Sequence, residues 1–146
     1  MLAAWIMELV LLIAPQYDIP PMLIAAIIIK ESQGNVLAIG INYDEDGNIK
    51  SLDRGLMQLN SSWFNGDWQC AETNIRAGII HLKQLYEHTK RTSPYYWAAV
   101  VSYNCGLRWY VNNEIPPLQS IVYANSVLEL WAELCPIRAK QVGWTR

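Results

Sequence analysis

Glu31 is the side chain of this sequence best placed to move a proton. It closes the run Met22-Leu23-Ile24-Ala25-Ala26-Ile27-Ile28-Ile29-Lys30, and Leu23, Ile24, Ile27, Ile28 and Glu31 recur at helical spacing on one face. A carboxylate on an apolar stripe loses hydration, and the C-terminal end of a helix repels its charge. Both effects favour the neutral acid, the form a general acid needs near neutral pH. The competing reading is an ion pair with Lys30 or an arginine that only ends the helix. Asp53 is a second carboxylate, either activating a water or capping the turn after it. Other combinations fail on spacing. Asp44-x-Asp46-x-Asn48 begins like a calcium loop, but Ile49 stands where that loop needs glycine and Gly55 where it needs glutamate. His81 and His88 have no carboxylate at metal spacing and read as surface residues. Cys105 with His81 lacks the third group that would orient a thiol and its base. The sequence therefore requires neither a metal nor another cofactor.

These residues need a scaffold, and proline and glycine punctuate it. Trp5 to Ala14 reads as a buried helix stopped by Pro15. Pro20-Pro21 opens a second helix, Met22 to Ser32, and Gly34 stops it. Asp46-Gly47 separates Ile41-Asn42-Tyr43 from Ile49-Lys50-Ser51 as the turn of a small hairpin. Gly55 to Ser62 reads as a short helix or turn. Thr73 or Asn74 caps a helix whose Ile75, Ile79, Leu82 and Tyr86 share one face. Ser93-Pro94 starts another helix, ending at Gly106. Pro116-Pro117 starts the last, with Tyr123, Val127, Leu130, Trp131 and Leu134 as its stripe. The sum is about six helices and one small β-hairpin: an α+β fold, mainly α, in a single domain over residues 1–146.

Composition narrows the function classes. The chain has 146 residues, of which 52% are hydrophobic and 16% charged, which excludes intrinsic disorder. Its net charge of −2 excludes a uniform electrostatic grip on nucleic acid or acidic lipid. Seven Trp and eight Tyr stand against one Phe. Such rings either fill the core or line a groove for sugars or peptides. Cys70, Cys105 and Cys135 form either one bridge with a free thiol or three buried free thiols. Met1 to Ala14 lacks a basic start and a small-x-small cleavage site, carries Glu8, and is too short to span a bilayer. Either an export signal is absent from this sequence or the first segment is a weak one, and no stable membrane span is expected.

Four segments resemble the lytic transglycosylases. Lys30-Glu31-Ser32-Gln33-Gly34-Asn35 resembles their E-S-x-x-N segment, and Gly55-Leu56-Met57-Gln58-Leu59-Asn60 their G-L-M-Q motif. Asn74-Ile75 with Gly78 and Leu82 resembles the N-I-x-x-G-x-x-x-L helix, and Ser102-Tyr103-Asn104-Cys105-Gly106 the A-Y-N-A-G segment. The order matches from residue 30 to 106, and Ala38 to Trp63 looks most like the small specialised members of secretion and conjugation systems. The resemblance implies a lysozyme-like domain that cleaves the MurNAc–GlcNAc bond of peptidoglycan and leaves 1,6-anhydromuramyl ends. It implies Glu31 as the acid/base, with Gln58, Tyr103, Ser32, Asn104, Tyr123 and Asp53 on the substrate. Glycan strands are then the partner, with a secretion, conjugation or other envelope assembly as a further one, and the place of work is the periplasm or cell wall. Three departures stand out. Cys105 replaces a small alanine, Ile39-Gly40 lies where many members carry Ser or Thr, and the Asp44-to-Asp53 insertion is longer than in the large soluble members. Two other readings remain: a hydrolytic muramidase in which Asp53 helps activate water, and a glycan-binding assembly component without turnover.

Overall fold

Leu23 to Ile28 are all fully or almost fully buried, so the second helix has no solvent face along its centre. That helix, α2 (Pro21–Ser32), is the core of the first of two compact units that divide between Ile80 and His81. The computed structural model describes residues 1–135. Residues 136–146 of the expected domain lie outside the described residues.

In the first unit, α1 (Ala4–Ile13) packs on α2 through Ile6, Val10 and Ile13, spaced i, i+4 and i+7. Its other side leaves Trp5, Leu11 and Leu12 exposed, so only one face of the expected buried helix is buried. Pro15 lacks the N–H that α1 would need next, and the chain tightens into a 3-10 turn, Ala14–Tyr17. No helix among the described residues is long and apolar enough to cross a membrane.

The sheet has three antiparallel strands in the order β1 (Ile39–Tyr43), β2 (Ile49–Arg54), β3 (Leu59–Asn60). Gly40 pairs with Asp53, Asn42 with Ser51, and Asp53 again with Asn60. Strand alternation puts these five polar or small residues on one face and Ile39, Ile41 and Tyr43 on the other. The hairpin is where the sequence places it, but its loop is longer than a two-residue Asp-Gly turn. The Asp44 carboxylate accepts the backbone N–H groups of Asp46 and Asn48 at 3.0 and 2.8 Å, which organises a loop from Asp44 to Asn48. Those bonds, that of Asn48 first, hold the Asp44 carboxyl below its ordinary range. The segment expected as a short helix or turn splits. Gly55 to Gln58 is a turn, and Leu59-Asn60 is strand β3. Two residues are too short to display a period, and only pairing with β2 makes them a strand.

Helix α3 (Ala71–Thr89) begins earlier than expected, so neither Thr73 nor Asn74 caps it. Its Ile75, Ile79 and Leu82 are buried as the stripe requires. The second unit continues with α4 (Trp97–Cys105), the short α5 (Arg108–Val111) and α6 (Leu118–Leu134). Helix α4 packs on both α5 and α6, burying Ala98 to Ser102 against a face that includes Ser120, Ala124 and Val127. It starts later than Ser93-Pro94 suggests. Tyr96 adopts a left-handed φ of 66° before it, stacked on Tyr86 at 4.2 Å and edge-on to Trp131 at 5.9 Å. Two tryptophans here serve the fold: Trp97 donates its indole N–H to Asn125 at 3.0 Å and Trp109 to Ser102 at 3.1 Å.

Gly78 shows how closely α3 meets the turn after β2. A Cβ at that position would stand 2.4 Å from Met57 Sδ and 2.9 Å from Met57 Cβ. Gly78→Ala should therefore lower unfolding free energy by about 1–3 kcal/mol, despite alanine's better helix propensity. Urea denaturation reads this directly, and a stabilised variant would mean that Met57 repacks at no cost.

Candidate active site

Glu31 lies in the last turn of α2 and is half-buried. The stripe of buried residues ends at Ile28, so Glu31 sits where the helix emerges from the core rather than inside it. Gln33 and Gly34, with φ of 53° and 81°, turn the chain away immediately after. Ser32 fixes this helix end. Its hydroxyl donates to the Leu56 carbonyl at 2.8 Å and accepts the Gly34 N–H at 3.2 Å. The residue after the candidate acid is thereby tied to the turn that carries Gln58.

That turn is held from below by one buried amide. Asn74 accepts the Met57 N–H at 2.9 Å and donates to the carbonyls of Arg54 and Trp68, both at 3.0 Å. Its side chain uses acceptor and donors together, which explains a fully buried asparagine in α3. Gly55 is required at the start of the turn. Its φ is 79°, and an added Cβ would stand 2.2 Å from Asn74 Nδ2 and 2.8 Å from the Trp68 carbonyl oxygen. Leu56 and Met57 are fully buried, and Gln58 follows with a left-handed φ of 51°. The Gln58 amide nitrogen donates to the carbonyls of Ala38 and Gly55 at 3.1 and 3.0 Å. Its oxygen faces Gly40, within 3.1 Å of where a Cβ would stand.

Asp53 stands across the strands from Gly40. It does not cap the following turn. Its two oxygens accept one amide N–H each, from Asn42 at 2.9 Å and Asn60 at 2.8 Å. The Ser51 hydroxyl accepts from the same two amides at 3.2 and 3.0 Å. Three strands thus contribute to one polar row: Asn42, Ser51, Asp53 and Asn60. The sheet ties Asp53, Gly40 and Gln58 into one neighbourhood, and Ser32 ties that turn to the Glu31 helix end.

The second unit holds the other candidates. Tyr103 is half-buried near the end of α4, and its ring lies against His81 with centroids 5.5 Å apart and planes at 52°. Asn104 accepts the Ser120 hydroxyl at 2.7 Å, so its amide oxygen serves the α4–α6 contact. Tyr123 is half-buried on α6. His81 is not the surface residue that the sequence suggests. It is half-buried, and burial pushes its imidazole below the ordinary 6.5. The spacing Asn74, Gly78, His81 is i, i+4, i+7, the signal that puts it on a packed helix face. The three cysteines are free thiols: Cys70 and Cys105 are exposed and Cys135 is half-buried, so the expectation of a bridge or of buried thiols gives way.

The sequence profile of a family described as the transglycosylase SLT domain matches residues 8–115. The match takes in Glu31, Ser32, Asp53, Gln58, Tyr103 and Asn104 and stops short of Tyr123. No curated protein matches the chain.

Two outcomes follow from these bonds. Asn74→Ala removes three hydrogen bonds made by a fully buried amide and should cost about 2–4 kcal/mol, read from the urea midpoint. A change within experimental error would mean that the turn holds itself. For His81, the folded chain takes up a proton less readily than the unfolded chain. Stability should therefore be level above about pH 6.5 and decline below it, as the unfolded state gains the proton first. His81→Gln should flatten that slope in urea midpoints taken between about pH 5 and 8; an unchanged slope would assign it to other groups.

Proposed function

Because the chain belongs to the transglycosylase SLT domain family, we propose that it cleaves the MurNAc–GlcNAc β-1,4 bond of peptidoglycan with Glu31 as the single acid/base. The family acts on the peptidoglycan of the cell wall, which places the work in the cell envelope. In the proposed reaction Glu31 gives its proton to the glycosidic oxygen as the bond from that oxygen to C1 breaks. The C6 hydroxyl of the same muramyl residue then bonds to C1 and returns its proton to the Glu31 carboxylate. The products are a free sugar hydroxyl on one side and a 1,6-anhydromuramyl end on the other, and Glu31 regains its starting state.

One carboxylate suffices because the nucleophile comes with the substrate, and the muramyl N-acetyl group stabilises charge at C1. Enzymes that use water or their own nucleophile need a pair. The protein then supplies orientation and exclusion of water. The observation that carries this reading is the bond from Ser32 to Leu56, which ties the Glu31 helix end to the turn bearing Gln58. Gln58 has its nitrogen committed to the backbone, so its oxygen is the group offered to a sugar hydroxyl or acetamido N–H. In this reading Tyr103, Asn104 and Tyr123 are further groups that bind the glycan, and residues 1–146 are one domain. Ser32 acts there mainly through the helix end that it fastens. A periplasmic or wall-bound location and service to a secretion or conjugation assembly belong to the same proposal.

Asp53 favours a second reading. Its carboxylate is held by two amides on a polar sheet face, oriented rather than loose. A carboxylate so placed can direct a water to C1, which would give hydrolysis on the same fold. Mass spectrometry of muropeptides from digested cell walls separates the outcomes. Anhydromuramyl ends support the transglycosylase, reducing ends the hydrolase, and uncut glycan a binding component without turnover. Glu31→Gln should keep its urea midpoint and lose at least about 100-fold in rate. Retained turnover would remove Glu31 from the reaction. Asp53→Asn should leave the yield of anhydro ends largely intact, whereas a hydrolase would lose its reducing-end product.

A further inference from the structure

Ser102, Tyr103 and Asn104 close α4, and each meets a different helix of the second unit. Buried Ser102 accepts the Trp109 indole N–H from α5 at 3.1 Å. Asn104 accepts the Ser120 hydroxyl from α6 at 2.7 Å. Tyr103 lies against His81 of α3, with ring centroids 5.5 Å apart. Neighbouring helical residues point about 100° apart, so these contacts hold the end of α4 from three directions. The two outer bonds fix the roll of the helix. The torsions of the Tyr103 side chain are set by its own contacts, the His81 ring among them.

The imidazole is suited to that contact. It is half-buried, and its burial disfavours the charged form, so near neutral pH it packs as an uncharged plate. The 52° between planes is a tilted pairing, intermediate between stacked and edge-on. A flat partner at this tilt limits the ring orientations that the tyrosine can adopt.

We propose that His81 is a positioning residue for Tyr103, fixing the angle at which the tyrosine presents the face of its ring to the glycan. The proposal rests on the reading that Tyr103 lines the glycan site. His81 itself touches no substrate in this scheme. Its effect on rate passes through the tyrosine, and the conservative requirement is for a flat ring.

The test uses the full chain, soluble peptidoglycan fragments and 3-fluorotyrosine labelling. His81→Ala should lower kcat/KM about tenfold, as expected for a displaced substrate-contacting group. His81→Leu should give the same loss and replaces the alanine variant if that one folds poorly. His81→Phe should recover most of the activity. In a Tyr103→Ala background, removing His81 should add less than about a twofold further loss. The fluorine resonance missing in Tyr103→Ala identifies Tyr103, and it should move in His81→Ala while the other resonances hold. An unmoved resonance, or losses that multiply in the double variant, would overturn the proposal and leave the glycan reading of Tyr103 intact. Full activity of Tyr103→Ala would instead overturn that reading, and the proposal with it.

Discussion

A buried carboxamide must find partners for both its oxygen and its nitrogen, and Asn74 finds them all in one short stretch of chain. By accepting from Met57 and donating to Arg54 and Trp68, it prescribes the path of the turn between β2 and β3. The turn in turn prescribes two things. Its first residue must be glycine, because the amide occupies the space of a side chain. Its last residue, Gln58, is forced into a left-handed backbone that sends its amide back toward Ala38 and Gly40. Unpaired buried polar groups are costly, so a network of this kind is stable only when every member is in place. That requirement makes the turn rigid enough to receive the α2 terminus through Ser32.

The sheet works by a different economy. It is too small to have two packed faces, and strand alternation sorts its side chains instead. One face carries Asn42, Ser51, Asp53 and Asn60 with Gly40 beside them, so the row is polar and low. Each amide bridges a carboxylate oxygen and the same serine hydroxyl, which orients both dipoles toward Asp53. Gly40 matters here for what it omits. A side chain there would meet the Gln58 oxygen on one side and Asp53 on the other. Side chains held by neighbours whose own rotamers are locked keep their geometry.

In the second unit aromatic rings take over the role that amides play in the first. Tyr86, Tyr96 and Trp131 form one group, and Trp97, Trp109 and Tyr110 another. Their polar edges find partners in Asn125 and Ser102, which resolves the excess of Trp over Phe for these positions: the rings need a handle because they sit between helices whose backbones are already paired. Tyr103 sits at the end of the helix that these rings support.

Much of this was legible in one dimension. The apolar run before Glu31, the prolines at helix starts, the glycines at their ends and the four ordered motifs fix the long helices, the hairpin and the family, because period and backbone restriction are local properties. The identity of Glu31 as the candidate acid is likewise local, since it breaks an apolar pattern. Strand β3 was not legible, because two residues carry no period and pairing is a property of the partner. The role of Asn74 was not legible for the same kind of reason, since the sequence offers either it or Thr73 as a cap. Asparagine is a good cap by propensity, and only the folded chain reveals three backbone groups converging on it. Asp53 and His81 divide in the same way: sequence supplies a carboxylate and an imidazole, while amides from two other strands and a tyrosine from another helix decide what each one faces. Local chemistry sets which groups are present; long-range packing sets their surroundings, and surroundings are what turn a titratable side chain into a working one.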